Sequence, residues 1–244
     1  LVRSRGLGDV YKRQGDDTPA TPSDKKIADA GSVTVYSITD ANMPVMKKYG
    51  AVAKAYLGKS VASGDVNNDN YADVLVGAPG DDTPAIHDTK KIVDTGSVIV
   101  FSGVDGATLT TKYGAIAKAG LGNSVAAGDI DGDGFADVIA GAKFDDKPSL
   151  PKVIKDTGSV SVFDGNSHNL ITTLYGDVTK DYFGTSVSAG DVNSDGKADV
   201  IIGIPGFDIP PDPNPKIIKD TGAVKVVSGT CLLYTSDAAD ERSS

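Results

Sequence analysis

Tryptophan is absent from the 244 residues, and the chain has one Cys, two Met and two His. A single Cys excludes a disulfide scaffold and any zinc site built on several Cys. No apolar run approaches the roughly 18 residues that a membrane-crossing helix needs. Positive charge is short as well. Against 24 Lys and Arg stand 33 Asp and Glu, a net charge of −9, the reverse of a nucleic-acid-binding footprint. Turn-forming residues are plentiful. With 29 Gly and 12 Pro, the chain suits many short strands joined by turns and does not suit a helical bundle.

The scarce residues are also unevenly placed. Every Arg (Arg3, Arg5, Arg13, Arg242), the one Gln (Gln14), the one Glu (Glu241) and Cys231 lie within residues 1–14 or 231–244. The 216 residues between them use Lys as the strong base and Asp as the acid. Codons for Asp9-Val10-Tyr11-Lys12-Arg13-Gln14, read on the complementary strand and shifted by one base, encode Cys231-Leu232-Leu233-Tyr234-Thr235-Ser236. Both ends therefore resemble translated sequencing adapter and are set aside from fold reasoning. The expected natural stretch is residues 15–230, a piece of a longer chain.

Internal repetition organises that stretch. Ala30-Gly31-Ser32-Val33-Thr34-Val35-Tyr36 returns as Thr95–Phe101, Thr157–Phe163 and Thr221–Val227, with aligned glycines 65, 62 and 64 residues apart. A second block, Ser60-Val61-Ala62-Ser63-Gly64-Asp65, returns at Ser124–Asp129 and Ser186–Asp191. Each copy leads into an Asp-rich loop and then an Ala-Asp-Val apolar run. Within a unit the apolar period is two, as in half-buried strands. Four strands are predicted in the first complete unit, at 57–64, 72–78, 96–102 and 107–113. The Tyr-Gly-Ala-x-Ala-Lys-Ala stretch at Tyr113–Ala119 reads as a connection between units and not a helix. Four antiparallel strands at such a period make a propeller blade, which buries its faces only by stacking on neighbours. The predicted fold is all-β, an open β-propeller arc of about three and a half four-stranded blades: a truncated blade at 15–56, blades at 57–120 and 121–182, and a truncated blade at 183–230.

Three loops carry candidate chemistry. Asp65, Asn67, Asp69 and Asp73 stand at positions 1, 3, 5 and 9 of the first, Asp129, Asp131, Asp133 and Asp137 of the second, and Asp191, Asn193, Asp195 and Asp199 of the third. Position 6 is Asn70, Gly134 or Gly196, residue types that tolerate a left-handed backbone. Such a turn lets side chains 1, 3 and 5 converge, with carboxylate 9 and the backbone carbonyl of position 7 (Tyr71, Phe135, Lys197) completing an oxygen cage. Hard oxygen donors in a flexible loop select Ca²⁺. The loops hold three, four and three Asp, a density that like-charge repulsion disfavours without a cation. Helix-loop-helix calcium sites need a carboxylate at position 12. Here that position is Val76, Ala140 or Ile202, so these are loops between strands. With Asn at position 3 in the outer two, the middle loop is expected to bind tightest. All three are expected in the weak range of roughly 10⁻⁴–10⁻³ M.

On these residues the chain resembles the FG-GAP repeats of integrin α-type propellers and their bacterial relatives. The resemblance rests on Phe183-Gly184, Asp191–Asp199 and Gly203-Ile204-Pro205, with Leu121-Gly122 and Gly141-Ala142-Lys143, and Leu57-Gly58 and Gly77-Ala78-Pro79, as the other copies. Leu replaces Phe twice, and the final triplet is intact once. The resemblance implies calcium on one propeller face, extracellular or cell-surface placement, and adhesion or binding of a protein or glycan ligand. It names no ligand.

The remaining features are read as structural. His87 and His168 lack repeat partners and are expected on solvated surface. Asp81/Asp82 and Asp145/Asp146 open long connections, and Lys25-Lys26, Lys90-Lys91, Lys152/Lys155 and Lys216/Lys219 are expected to balance local acid. Pro210–Pro215 is a stiff loop. Sugar recognition by stacking would favour Trp or clustered exposed Tyr, and there is no Trp. The sequence holds no Gly-x-Ser-x-Gly elbow, P-loop or His-x-x-x-His zinc pair. The expected function is a non-catalytic, calcium-binding module whose partners are its ligand and the remaining blades of the parent chain, with no nucleic acid and no membrane insertion. The alternative is a propeller lobe of a larger extracellular hydrolase, phospholipase-like or polysaccharide-degrading, with its catalytic residues elsewhere.

Overall fold

A computed structural model describes residues 10–13, 27–37, 44–84, 90–149, 152–208 and 219–234. His87, Gly15–Ala20, Lys25-Lys26 and Pro210–Pro215 lie outside them. Fourteen strands form four antiparallel sheets among the described residues. The two complete sheets run in chain order: β4 (Ser60–Gly64), β5 (Asp73–Ala78), β6 (Ser97–Phe101) and β7 (Thr108–Tyr113), then β8 (Ser124–Gly128), β9 (Asp137–Ala142), β10 (Ser159–Phe163) and β11 (Leu170–Tyr175). Each observed strand falls inside its predicted span in the first unit. Residues 114–119 form turns and bends with no helix. Two three-stranded sheets flank these blades: β1 (Val10–Arg13), β2 (Ser32–Tyr36) and β3 (Pro44–Tyr49), and β12 (Ser186–Gly190), β13 (Asp199–Ile204) and β14 (Ala223–Val227).

The hydrophobic cores lie between sheets, and the two-residue period explains how. In β5, Val74 and Val76 pack with Val33 and Val35 of the preceding blade, whereas Leu75 packs with Val125, Val138 and Ala140 of the next. In β9, Val138 and Ala140 face backwards and Ile139 faces Val200 and Ile202 of the last blade. The second strand of a blade is thus buried on both sides, and all six residues of β5 and of β9 are buried. The fourth strands, rich in Thr, are half-exposed. Leu57, Leu121 and Phe183, the aligned Phe/Leu positions, are 1 %, 3 % and 2 % exposed. Each bridges to the glycine opening the preceding third strand, Gly31, Gly96 or Gly158. The Leu-for-Phe exchanges are therefore core substitutions. The result is an open arc of stacked propeller blades.

First strands β4, β8 and β12 stand side by side along the inner wall of the arc, where little space remains. A Cβ added at Gly128 would lie 2.8 Å from Cβ of Ala189 and 2.9 Å from Cβ of Ala198, while one at the equivalent Gly190 meets nothing within 4 Å. Gly128→Ala is expected to lower stability by about 1–3 kcal/mol through overpacking. Gly190→Ala should be neutral or stabilise by about 0.5 kcal/mol through reduced unfolded-chain entropy. Urea unfolding of both variants checks the contrast.

Two elements lie in or reach into the tails set aside above. Strand β1 pairs antiparallel with β2, from Val10 opposite Val35 to Arg13 opposite Ser32, in the place that β5 holds beside β6. An open strand edge presents unpaired N–H and C=O groups to any extended segment. A short helix, α1 (Gly229–Tyr234), places Leu232 in the core beside Ile130 at 1 % exposure.

Candidate functional site

The Asp-rich loops join the first to the second strand of three successive blades, so all three emerge from the same end of the arc. Each is folded by its own carboxylates. In the middle loop, Asp129 Oδ1 accepts the N–H groups of Gly132 and Asp133 at 2.6 and 3.1 Å, and its Oδ2 that of Gly134 at 3.0 Å. Asp131 Oδ1 accepts from Asp133 N–H at 3.1 Å, and Asp133 Oδ1 from Phe135 N–H at 2.9 Å. The first loop repeats the pattern with Asp65 to Asp69 and Asn70, Asn67 to Asp69, and Asp69 to Tyr71. The third repeats it with Asp191 to Asp195 and Gly196, Asn193 to Asp195, and Asp195 to Lys197. Position 6 is left-handed as expected, with φ of 68°, 92° and 87° at Asn70, Gly134 and Gly196. Position 4 is left-handed too, at Asn68, Gly132 and Ser194, a second twist that the spacing alone did not reveal.

Position 9 differs in kind from the other loop positions. Asp73, Asp137 and Asp199 are at most 1 % exposed. One oxygen of each accepts the N–H of position 2 (Val66, Ile130, Val192) at 2.8–2.9 Å. The other accepts the N–H of a glycine just past the third strand: Gly103, Gly165 or Gly229. This carboxylate ties the loop to the far side of its own blade. Burial away from water raises the Asp137 carboxyl to about 7, against the two backbone donors that lower it, with Asp131 and Asp164 adding repulsion. Burial also raises Asp73 and Asp131.

Asp129, Asp131 and Asp137 each bring a carboxylate oxygen within 4.8 Å of the others, as do Asp131, Asp133 and Asp164. Asp164 was not foreseen. It follows β10, where the other two blades carry Ser102 and Ser228. Asn193 Nδ2 lies 3.4 Å from Ser228 Oγ, so this turn residue also sits beside position 3 in the third loop. The middle loop thus gathers five Asp, an all-oxygen donor set suited to a hard cation. At position 7 Tyr71 is 53 % exposed. Lys197 Nζ donates to the carbonyl of Asp131 at 2.7 Å, linking two blades.

Successive loops are also joined through the backbone. Ala136 N–H donates to Asp65 O at 2.8 Å, and Ala198 N–H to Asp129 O at 2.7 Å. Asp81 and Asp145 have a different role, accepting Ser97 and Ser159 hydroxyls at 2.7 and 2.6 Å. Asp82 and Asp146 pair with Lys91 and Lys155 at 2.5 Å each, the local balance expected of those lysines. His168 is half-buried, with an unpartnered Nδ1, not on fully solvated surface. Its turn folds it in through Ser167 N–H donating to Asp164.

Fold and loops together define a repeat protein of the propeller class with an acidic loop in three successive blades. The FG-GAP repeat matches residues 57–101, 121–163 and 183–227, and the chain belongs to the FG-GAP repeat family. It is 28 % identical to integrin alpha-V of Gallus gallus over 144 residues, covering 55 % of this chain and 13 % of that protein. To integrin alpha-5 of Xenopus laevis it is 30 % identical over 186 residues, or 73 % and 17 %. To the phosphatidylinositol-glycan-specific phospholipase D of Dictyostelium discoideum it is 27 % identical over 180 residues, or 64 % and 19 %. The chain spans less than a fifth of each of these relatives. No helix among the described residues is long and apolar enough to cross a membrane.

Proposed function

We propose that this chain is a calcium-stabilised, non-catalytic binding module of an extracellular or cell-surface protein. The observation carrying the reading is the threefold identical folding of the Asp loops, with Asp129, Asp131 and Asp137 converging within 4.8 Å. Asp65, Asn67, Asp69 and Asp73 would hold one ion, Asp129, Asp131, Asp133 and Asp137 a second, and Asp191, Asn193, Asp195 and Asp199 a third, each helped by the carbonyl of Tyr71, Phe135 or Lys197. Calcium there would neutralise crowded carboxylates and lock loops that are already joined blade to blade. Similarity to integrin alpha chains supports adhesion or ligand binding as the role. Val224 and Val226 on β14 are 70 % and 50 % exposed, at the positions where Val98, Val100, Val160 and Val162 are buried between blades, a face suited to packing against a further blade of a parent chain.

The similarity to phosphatidylinositol-glycan-specific phospholipase D favours a second reading, in which the same module is an accessory lobe beside a hydrolase domain. Domains encoded next to the repeats separate the two. The metal assignment itself is tested by calorimetric calcium titration. With Asp131 and Asp164 beside it, the middle loop should bind tightest, and Asp131→Asn should weaken that one site about tenfold, or about 1.4 kcal/mol. Titrations that superimpose for Asp131→Asn and the parent would remove the ranking.

A further inference from the structure

The turn entering each new blade repeats as Lys54-Ala55-Tyr56-Leu57-Gly58, Lys118-Ala119-Gly120-Leu121-Gly122 and Lys180-Asp181-Tyr182-Phe183-Gly184. Its third residue is left-handed every time, with φ of 55°, 69° and 54°. Tyr accepts that strained backbone in two copies, and the middle copy has Gly120. On the facing turn after each second strand, the aligned residues are Gly80, Phe144 and Gly206. The aromatic ring has therefore changed sides in the middle copy. Phe144 does not turn back to fill the gap. Its ring stands edge-on to Tyr182, centroids 6.0 Å apart, and is 44 % exposed.

What remains is a cleft of about 740 Å³ lined by Tyr56, Gly120 and Phe144. It lies at the end of the blades opposite the Asp loops. Its size falls within the roughly 300–1,000 Å³ of small-ligand sites. In a chain of net charge −9, its lining holds four Lys against three Asp. One of those lysines is already held by Asp146. Lys143 Nζ stands 4.7 Å from the centre of the Phe144 ring, and Lys118 lines the same cleft. Aromatic faces, cations, and the amide and carboxylate groups of the rim fit one chemistry: a hydroxylated ring with an apolar face and an attached carboxylate.

We propose that this cleft, opened where Gly120 breaks the Tyr repeat, binds a short acidic oligosaccharide of the uronate class. The proposal names the ligand of the binding module proposed above and rests on that reading. An apolar peptide side chain would leave the rim carboxylates unmatched, and an acidic peptide would use the lysines but not the aromatic walls. The clustered exposed aromatics that sugar recognition needs are present here without Trp.

The test is calorimetry on the full chain at fixed calcium, with tri-galacturonate as the ligand and maltotriose and tri-glutamate as comparisons. The uronate should bind at least about tenfold more tightly than either. Gly120→Tyr installs the residue of the flanking repeats, and an added Cβ there meets Pro79 at an ordinary 3.6–3.7 Å. It should weaken uronate binding at least about tenfold and leave calcium-dependent melting unchanged. Should that variant lose its calcium-dependent melting, Phe144→Ala and Lys143→Met carry the same expectation. Absent uronate binding, unaltered binding in these variants, or tri-glutamate binding as well as the uronate would each overturn the proposal. If calcium-dependent melting of the parent persists in that event, only the ligand assignment falls. Its loss from the parent would bring down the module reading first.

Discussion

Asp137→Ala should lower the stability of the calcium-free chain by about 3–5 kcal/mol. The carboxylate is fully buried and accepts two backbone N–H groups, from Ile130 and Gly165, both at 2.8 Å. Truncation leaves both donors without partners in a dry setting, at about 1–3 kcal/mol each. Asp133→Ala, four positions earlier in the same loop, is the contrast. Asp133 is exposed, and its one structural bond goes to an exposed N–H, so less than about 1 kcal/mol should be lost. Both substitutions should abolish calcium binding at the middle loop. Urea unfolding in chelator separates them, and equal losses for the two would show that position 9 has no structural duty beyond the metal.

Chelation of the parent should have the second large effect. A ligand that binds only the folded chain stabilises it by RT ln(1 + [L]/Kd). At about 1 mM calcium and the weak affinities expected, each loop contributes about 0.4–1.4 kcal/mol. Three loops then correspond to a fall in melting midpoint of about 10 °C on adding chelator. The chelated form should also show an inverted pH response. A carboxyl raised to about 7 by burial, as at Asp137, holds its proton in the folded chain at pH values where the unfolded chain has released it. That contribution is complete below about pH 4 and is lost as pH rises towards 7, at up to about 1.4 kcal/mol per pH unit. In chelator the midpoint should therefore climb as pH is lowered from 7 to 5. Scanning calorimetry with and without calcium at both pH values reads both effects. Coincident traces would remove calcium from the account of stability.

The strands and the folding of the acidic loops were legible in the sequence because both rest on local, repeated patterns. Val74, Leu75 and Val76 announce a doubly buried strand by their unbroken apolar run, and Asp129, Asp131 and Asp133 announce a folded loop by alternate spacing. What the sequence concealed depends on chain-distant approach. Asp164 reaches the middle loop only because β10 returns beside β9, and the alignment of Asp164 with Ser102 and Ser228 was the one signal available. The exchange of Tyr56 for Gly120 and of Gly80 for Phe144 is plain in the repeats. Its consequence, an open cleft, follows only once the two turns face each other. The pairing of β1 with β2 and the burial of Leu232 came from segments whose composition differs from the rest, so no repeat pattern marked them.

A crystal structure of the chain grown in millimolar calcium tests the central claim most directly. Three ions are expected, one per loop, about 2.3–2.6 Å from the oxygens of positions 1, 3, 5 and 9 and from the position-7 carbonyl. Carboxylates of Asp129, Asp131 and Asp137 splayed apart around ordered water alone, in calcium-saturated crystals, would contradict it.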